Sequence, residues 1–254
     1  MKDLYRVIVI PDLQVPYQDD KALAAAEKYM ADETWDEVLY LGDFMDLDQV
    51  SRFTRDAPGK VEGKRLKKDY VTGNKILDRQ QAIIRKRNPK AKFTLLTGNH
   101  DFRALVFEDE HPQLKGMLDI ETNLRTAERG IKVVHCYPAG DVYKIGKANF
   151  IHGIYVGDNA ARKTVENYGF DVFTGHTHDI NLFCKHRWGL GKTLIGQSLG
   201  CICRTDLDYI GKNPKNWVHA VTTFYFRPDG NYNHYVSVIK GARFTAPNGK
   251  LYTA

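Results

Sequence analysis

Apolar and polar positions come in alternating blocks along the first half of the chain. Val7-Ile8-Val9-Ile10 is a continuous apolar run stopped by Pro11, the pattern of a short buried strand. Asp19 or Asp20 is placed to cap an alanine-rich helix over 21–31. Positions 37–41 read as the next strand, closed by Gly42. Over 64–87 the spacing is helical: Leu66, Tyr70, Leu77 and Ile84 recur at 4, 7 and 7. Gly73 costs such a helix about 1 kcal/mol and marks a candidate break. Asn88-Pro89 stops it, and 92–97 form a third strand closed by Gly98. Strand–helix alternation of this kind predicts an α/β core.

After residue 130 the elements shorten, with strands expected over 131–135, 142–145, 149–151 and 172–174. The last third is rich in β-formers. Runs over 221–226 and 232–238 flank Pro228-Asp229-Gly230-Asn231, a hairpin turn signal. With no repeat, low-complexity tract or long linker, a single domain over 1–254 is expected, with surface insertions near 52–88 and 108–130.

The 254 residues, 43% hydrophobic and 27% charged, suffice for a sizeable core. No apolar run approaches the roughly 18–20 residues that span a bilayer, and the first is too short for a secretory signal. A cytoplasmic location without membrane contact is the expectation. Four cysteines (Cys136, Cys184, Cys201, Cys203) are too scattered for a disulfide framework and read as buried free thiols. Cys201 and Cys203 stand at i and i+2, so in a strand they share a face.

The net charge of +6 is uneven. Residues 60–92 hold 12 Lys or Arg against 3 Asp or Glu, leaving 25 against 28 elsewhere. On the helix over 64–87, Lys64, Lys68, Lys75, Arg79 and Lys86 form a stripe; Lys75 lies about 200° from Leu77. The stripe is either the solvated back of an amphipathic helix or a track for nucleic-acid phosphates. The second reading makes Lys64, Lys68, Lys75 and Arg79 candidate substrate contacts. Nearby aromatics, Phe53 and Tyr70, are too few for a base-stacking platform.

Polar residues gather where the expected strands end. The segments are Asp12-Leu13-Gln14, Gly42-Asp43-Phe44-Met45-Asp46, Gly98-Asn99-His100-Asp101, Ile151-His152-Gly153 and Gly175-His176-Thr177-His178. Ligands of open α/β sheets converge at the carboxyl ends of strands. Oxygen and imidazole donors without thiolates suit borderline divalent metals.

In order and spacing, these five blocks resemble the signature of calcineurin-like metallophosphoesterases: Asp-x-(His), Gly-Asp-x-x-Asp, Gly-Asn-His-Asp, His, Gly-His-x-His. The resemblance covers about 12–178. It implies a four-layer α/β/β/α sandwich of two mixed β-sheets with flanking helices, and two divalent ions, Mn²⁺ ahead of Fe, Zn or Ni. It assigns Asp12, Gln14, Asp43 and His178 to the first ion, and Asp43, Asn99, His152 and His176 to the second. His100 would be the catalytic residue facing substrate, with Asp101 orienting its imidazole. Asp46 is either the second acid of its motif or a helix cap. Phosphoester hydrolysis would proceed by in-line attack of a hydroxide bridging the ions.

Two departures qualify the resemblance. Gln14 replaces the usual histidine; a neutral carbonyl donor weakens the first site, tilts it towards a harder ion such as Mn²⁺, or does not ligate. Asp46 is followed by Leu47-Asp48 and His100 by Asp101, unlike the superfamily's protein phosphatases, which have arginine and glutamate there. Gly-Asn-His-Asp is shared with cyclic-nucleotide phosphodiesterases and repair nucleases. The expectation is therefore a phosphodiesterase acting on nucleic acid or nucleotides. The alternatives are a phosphomonoesterase, or a non-catalytic metal-binding scaffold like the superfamily's retromer subunit. No obligate protein partner follows from the sequence.

Overall fold

The computed structural model describes residues 4–207 and 215–254. The first half contains β1 (Tyr5–Ile10), α1 (Asp20–Asp32), β2 (Glu37–Tyr40), α2 (Arg52–Arg55), α3 (Leu66–Arg87), β3 (Lys92–Leu96) and α4 (Arg103–Glu110). Then follow α5 (Ile120–Asn123), α6 (Thr126–Arg129), β4 (Ile131–Val134), β5 (Tyr143–Ile145), β6 (Ala148–Ile151), α7 (Ala160–Tyr168) and β7 (Val172–Thr174). The remainder is β8 (Leu182–Arg187), β9 (Lys192–Ser198), β10 (Ala220–Phe226), β11 (Tyr232–Val238), β12 (Arg243–Thr245) and β13 (Leu251–Thr253).

The strands form two mixed sheets and a β12–β13 hairpin. The first sheet has the order β11-β10-β1-β2-β3-β4, with β1 to β4 parallel. The second has the order β5-β6-β7-β9-β8, with β6, β7 and β9 parallel. Period-two alternation in β1 builds both sides of the first sheet. Ile8 and Ile10 join the core beneath α1 and α3, while Val7 and Val9 join the core between the sheets. Phe173 and Phe150 of the second sheet meet Phe224 of the first edge-on, at 4.8 and 5.1 Å between ring centroids. Helix α7 lies on the second sheet against β7, β8 and β9. The expected four-layer α/β/β/α sandwich is the observed one.

Local chemistry explains the main helices. The Asp19 carboxylate accepts from the Ala22 amide at 2.8 Å, capping α1, which buries Ala22, Leu23, Ala25, Ala26, Tyr29 and Met30. Gly73 does not break α3. A Cβ there would meet Met45 Sδ at 3.0 Å and Leu124 Cδ2 at 3.1 Å, so the glycine is a point of close approach to the loop after β2. The expected insertions are more than surface additions. Helix α3 builds the core, and the 108–130 segment buries Glu108, Ile120, Leu124, Thr126 and Arg129. Arg129 donates to Asn74 Oδ1 of α3 at 2.8 Å. Cys136, Cys201 and Cys203 are buried, as expected; Cys184, on the outer strand β8, is exposed.

Phe173→Ala should destabilise the protein by about 3–5 kcal/mol, because the ring fills the space between two sheets that cannot both collapse onto it. Urea unfolding monitored by circular dichroism measures this loss.

Candidate metal centre

Five polar segments leave the carboxyl ends of parallel strands: residues 11–14 after β1, 41–46 after β2, 97–101 after β3, 152–153 after β6 and 175–178 after β7. Backbone bonds tie them together. Gln14 N donates to Asp43 O at 2.8 Å, and Gly175 N donates to His152 O at 2.9 Å. Across the sheets, His176 N donates to Asp12 Oδ1 at 3.0 Å. Within the first sheet's loops, His100 N donates to Asp43 Oδ1 at 2.8 Å. A Cβ on Gly98 would overlap the Asp43 carboxylate, and one on Gly175 would overlap Asp12 Oδ2. Those two glycines let the carboxylates enter the space between the loops.

Asp12, Gln14, Asp43, His176 and His178 all have positive φ, from 36° to 69°. Non-glycine residues adopt this left-handed region at a cost of about 1–3 kcal/mol each, and such strain concentrates at functional sites. Here it accompanies side chains that gather around Asp43 and His178.

The side chains form two overlapping groups. Asp12, Asp43 and His178 bring ligand atoms within 4.8 Å of one another, and so do Asp43, His152 and His176. Asp43 belongs to both. His178 Nε2 lies 3.1 Å from Asp12 Oδ1, and His152 Nε2 lies 3.2 Å from Asp43 Oδ2. Asn99 Oδ1 is 3.1 Å from His152 Nε2, beside the second group. Gln14 Nε2 is 3.4 Å from His178 Nε2, beside the first. All seven residues singled out as ligands therefore face this one space.

Carboxylates and imidazoles in the space set one another's protonation. Burial alone would raise the Asp43 carboxyl, but the imidazoles of His152 and His100 hold it well below the usual carboxylate range. Burial works against charging His152 and His178, yet Asp43 and Asp12 raise them to about 10 and about 9. Burial, then repulsion from His152, lowers His176 to about 4, leaving it a neutral donor. Asp12 Oδ2 is buried without a hydrogen-bond partner among the described residues. The unpartnered Asp12 oxygen, the strongly acidic Asp43 carboxylate and the neutral His176 imidazole fit divalent ions at these two groups.

The neighbouring side chains correct one expectation. Asp101 does not orient the His100 imidazole. Its carboxylate accepts amide N–H bonds from Met45 and Gly98, each at 2.9 Å, and from Phe44 at 3.3 Å, bracing the loops after β2 and β3. Burial, then the Asp43 charge, pushes it up to about 7. Asp46 takes the orienting position instead, with Oδ2 3.1 Å from His100 Nδ1. Arg103, which sequence patterning did not single out, donates to Asp46 O at 2.7 Å and to His100 Nε2 at 3.0 Å. A guanidinium only donates, so Nε2 is the acceptor and Nδ1–H points at Asp46. The signal for Arg103 lay in its position three residues after His100, at the start of α4.

Two clefts open onto this centre. One of about 660 Å³ is lined by Asp46, His100, Arg103, Lys60, Lys64 and Arg204, among others. The other, about 400 Å³, includes Asn99, His176, Arg52, Arg55, Phe102 and Tyr137. They share Ser51, Phe53 and Arg103. Of the basic stripe on α3 and its approach, Lys64 alone reaches a cleft, where it bonds Asp48 and Tyr17. Lys68 and Lys75 are exposed and line neither cleft, and Arg79 makes a two-pronged bond to Glu27.

Two sheets whose parallel strands end in two donor groups sharing one carboxylate form a candidate scaffold for two metal ions. The chain belongs to the calcineurin-like phosphoesterase family, whose model matches residues 5–179. The family is dinuclear and metal-dependent. The gene 54 protein of Mycobacterium phage D29 is 26% identical over 228 residues, covering 84% of this chain and 85% of that one. Its counterpart from Mycobacterium phage L5 is 26% identical over 235 residues, with the same coverage. Among solved structures, Vacuolar Protein Sorting 29 from Cryptosporidium parvum shares the fold. It has a TM-score of 0.50 and 16% identity, and the match covers 100% of this chain and 97% of that one. No helix of the described residues is long and apolar enough to cross a membrane.

Ions must displace the protons that the carboxylates draw onto His152 and His178. Below about pH 9 those protons are increasingly present as pH falls, so metal affinity should rise with pH, by up to about tenfold per unit per displaced proton. Mn²⁺ titrations at about pH 6 and about pH 8 measure this dependence.

Proposed function

We propose that the chain is a two-metal phosphodiesterase that hydrolyses nucleic acid or nucleotide phosphodiester bonds. The observation that carries this reading is the sharing of Asp43 between two donor groups, beside two clefts that meet at Arg103. Asp12, Gln14, Asp43 and His178 would hold one ion, and Asp43, Asn99, His152 and His176 the other. Bound there, the ions supply Lewis acidity and a nucleophilic water, and neutralise charge on the phosphoryl group.

The chain's own residues do the rest. A phosphodiester carries an organic group on two of its oxygens, and two adjoining clefts that share Ser51, Phe53 and Arg103 offer a place for each. Lys60, Lys64 and Arg204 line one cleft and Arg52 and Arg55 the other; an anionic chain that continues past the scissile bond would compete there with Asp48, Asp206 and Glu110, which pair Lys64, Arg204 and Arg55. A monoester would leave one cleft unused. Arg103 serves both, and its fork suits a phosphoryl oxygen. When an anionic substrate draws the guanidinium away, His100 Nε2 is freed. Asp46 keeps Nδ1–H oriented, so Nε2 faces the leaving oxygen and can hand it a proton once the ring is protonated.

Hydrolysis of bis-p-nitrophenyl phosphate with Mn²⁺ should exceed that of the monoester, and His100→Ala should lower it by roughly 10²–10⁴. Preference for the monoester would support a phosphomonoesterase. No turnover with any divalent ion would support the scaffold reading. Arg103→Ala should raise KM for the diester more than it lowers kcat, as measured by steady-state kinetics on the same substrate.

A further inference from the structure

The two histidines that approach the candidate carboxylates differ on the far side of their rings. His152 Nδ1 lies 3.0 Å from the Leu41 carbonyl, the usual arrangement behind a metal-facing imidazole. His178 Nδ1 has no such oxygen among the described residues. It faces Cys203 Sγ at 3.7 Å, and the His178 nitrogen, Cys201 Sγ and Cys203 Sγ all lie within 4.8 Å of one another. A tetrahedral zinc ion with Zn–S near 2.3 Å sets its sulfurs about 3.8 Å apart. The Cys203–His178 distance of 3.7 Å is close to that spacing, and the other two pairs lie within 4.8 Å.

The backbone fixes this spacing. Cys201 N donates to Val218 O at 3.0 Å, and Ala220 N donates to Cys201 O at 3.1 Å. His219 Nε2 donates to Cys203 O at 2.7 Å. Both thiols are fully buried, and the Trp217 ring packs edge-on against His178 at 4.1 Å. Between the cysteines, Ile202 N donates to Asp12 O at 3.1 Å, so the segment that presents the thiols also anchors the Asp12 loop.

We propose that Cys201, Cys203 and His178 Nδ1 form a Cys₂His site for a thiophilic divalent cation of the zinc class, adjoining the oxygen-rich centre through the shared His178 ring, which gives up its N–H proton to solvent as an imidazolate when both nitrogens hold ions. The ring of His178 then faces two donor sets of opposite character. Nε2 turns to the oxygen-rich centre and Nδ1 to a soft sulfur pair, which selects zinc-like ions over Mn²⁺ or Mg²⁺. An ion there clasps the residues after β7 to the 201–203 segment and fixes the ring that approaches Asp12. The assignment does not depend on phosphodiester turnover, because sulfur coordination has its own spectrum.

Titrating the metal-free, reduced full-length protein with Co²⁺ tests it. The expected result is a sulfur-to-cobalt charge-transfer band in the near ultraviolet that saturates at a molar equivalent of bound ion. Zn²⁺ should displace the band and excess Mg²⁺ should not. Cys201→Ser and Cys203→Ser should each abolish or sharply weaken it, and Cys184→Ser should leave it intact. The oxygen and nitrogen donors of the other groups cannot produce such a band. Its absence from the wild-type protein overturns the proposal without recourse to any variant, and so does its persistence in the Cys201→Ser/Cys203→Ser double variant.

Discussion

Four carboxylates, those of Asp12, Asp43, Asp46 and Asp101, are buried at the same end of two sheets, none more than 2% exposed. Unbalanced, they would repel one another at a cost no small domain could absorb. Each is balanced differently. Asp46 has Arg103 and His100. Asp101 accepts backbone amides and is raised towards neutrality. Asp43 and Asp12 each accept one backbone amide and otherwise face imidazoles, and Asp12 keeps an oxygen with no hydrogen-bond partner among the described residues. The remaining demand for positive charge falls where the two donor groups overlap. The strained loop backbones and the glycines beside Asp43 and Asp12 all serve to hold that overlap.

Much of this centre was legible in the sequence because each piece is local. A strand, a glycine and one or two polar residues recur five times, and the strands' parallel order brings those pieces to one end. The relation of His100 to its neighbours was not legible. The family resemblance pointed to Asp101, but Asp101 faces the loop backbone while His100 turns to Asp46. Arg103 depends on where α4 begins, which the pattern around 103–110 did not mark. Strand β8 reads Leu-Phe-Cys-Lys-His-Arg and lies at an exposed sheet edge, so it carries no clean alternation of the kind that announced β1.

The basic segment teaches a similar lesson. Residues 60–92 hold the chain's excess positive charge, and a helical projection placed it as a stripe on α3. In the fold, part of that stripe faces away, with Arg79 held by Glu27. The cations that line the clefts come from the loop before α3, from α2, from Arg103 and from Arg204, which no single period connects. Gly73 likewise acts through tertiary contact: it admits Met45 and so seats the loop that carries Asp43 and Asp46.

The proposed arrangement turns on one carboxylate, Asp43, that belongs to both donor groups. Calorimetric titration of the metal-free protein with Mn²⁺ reads this directly by comparing Asp43→Asn with His176→Ala. A shared Asp43 predicts that Asp43→Asn weakens both binding steps, while His176→Ala weakens one and leaves the other. Two binding steps of which Asp43→Asn leaves either at wild-type affinity would contradict it.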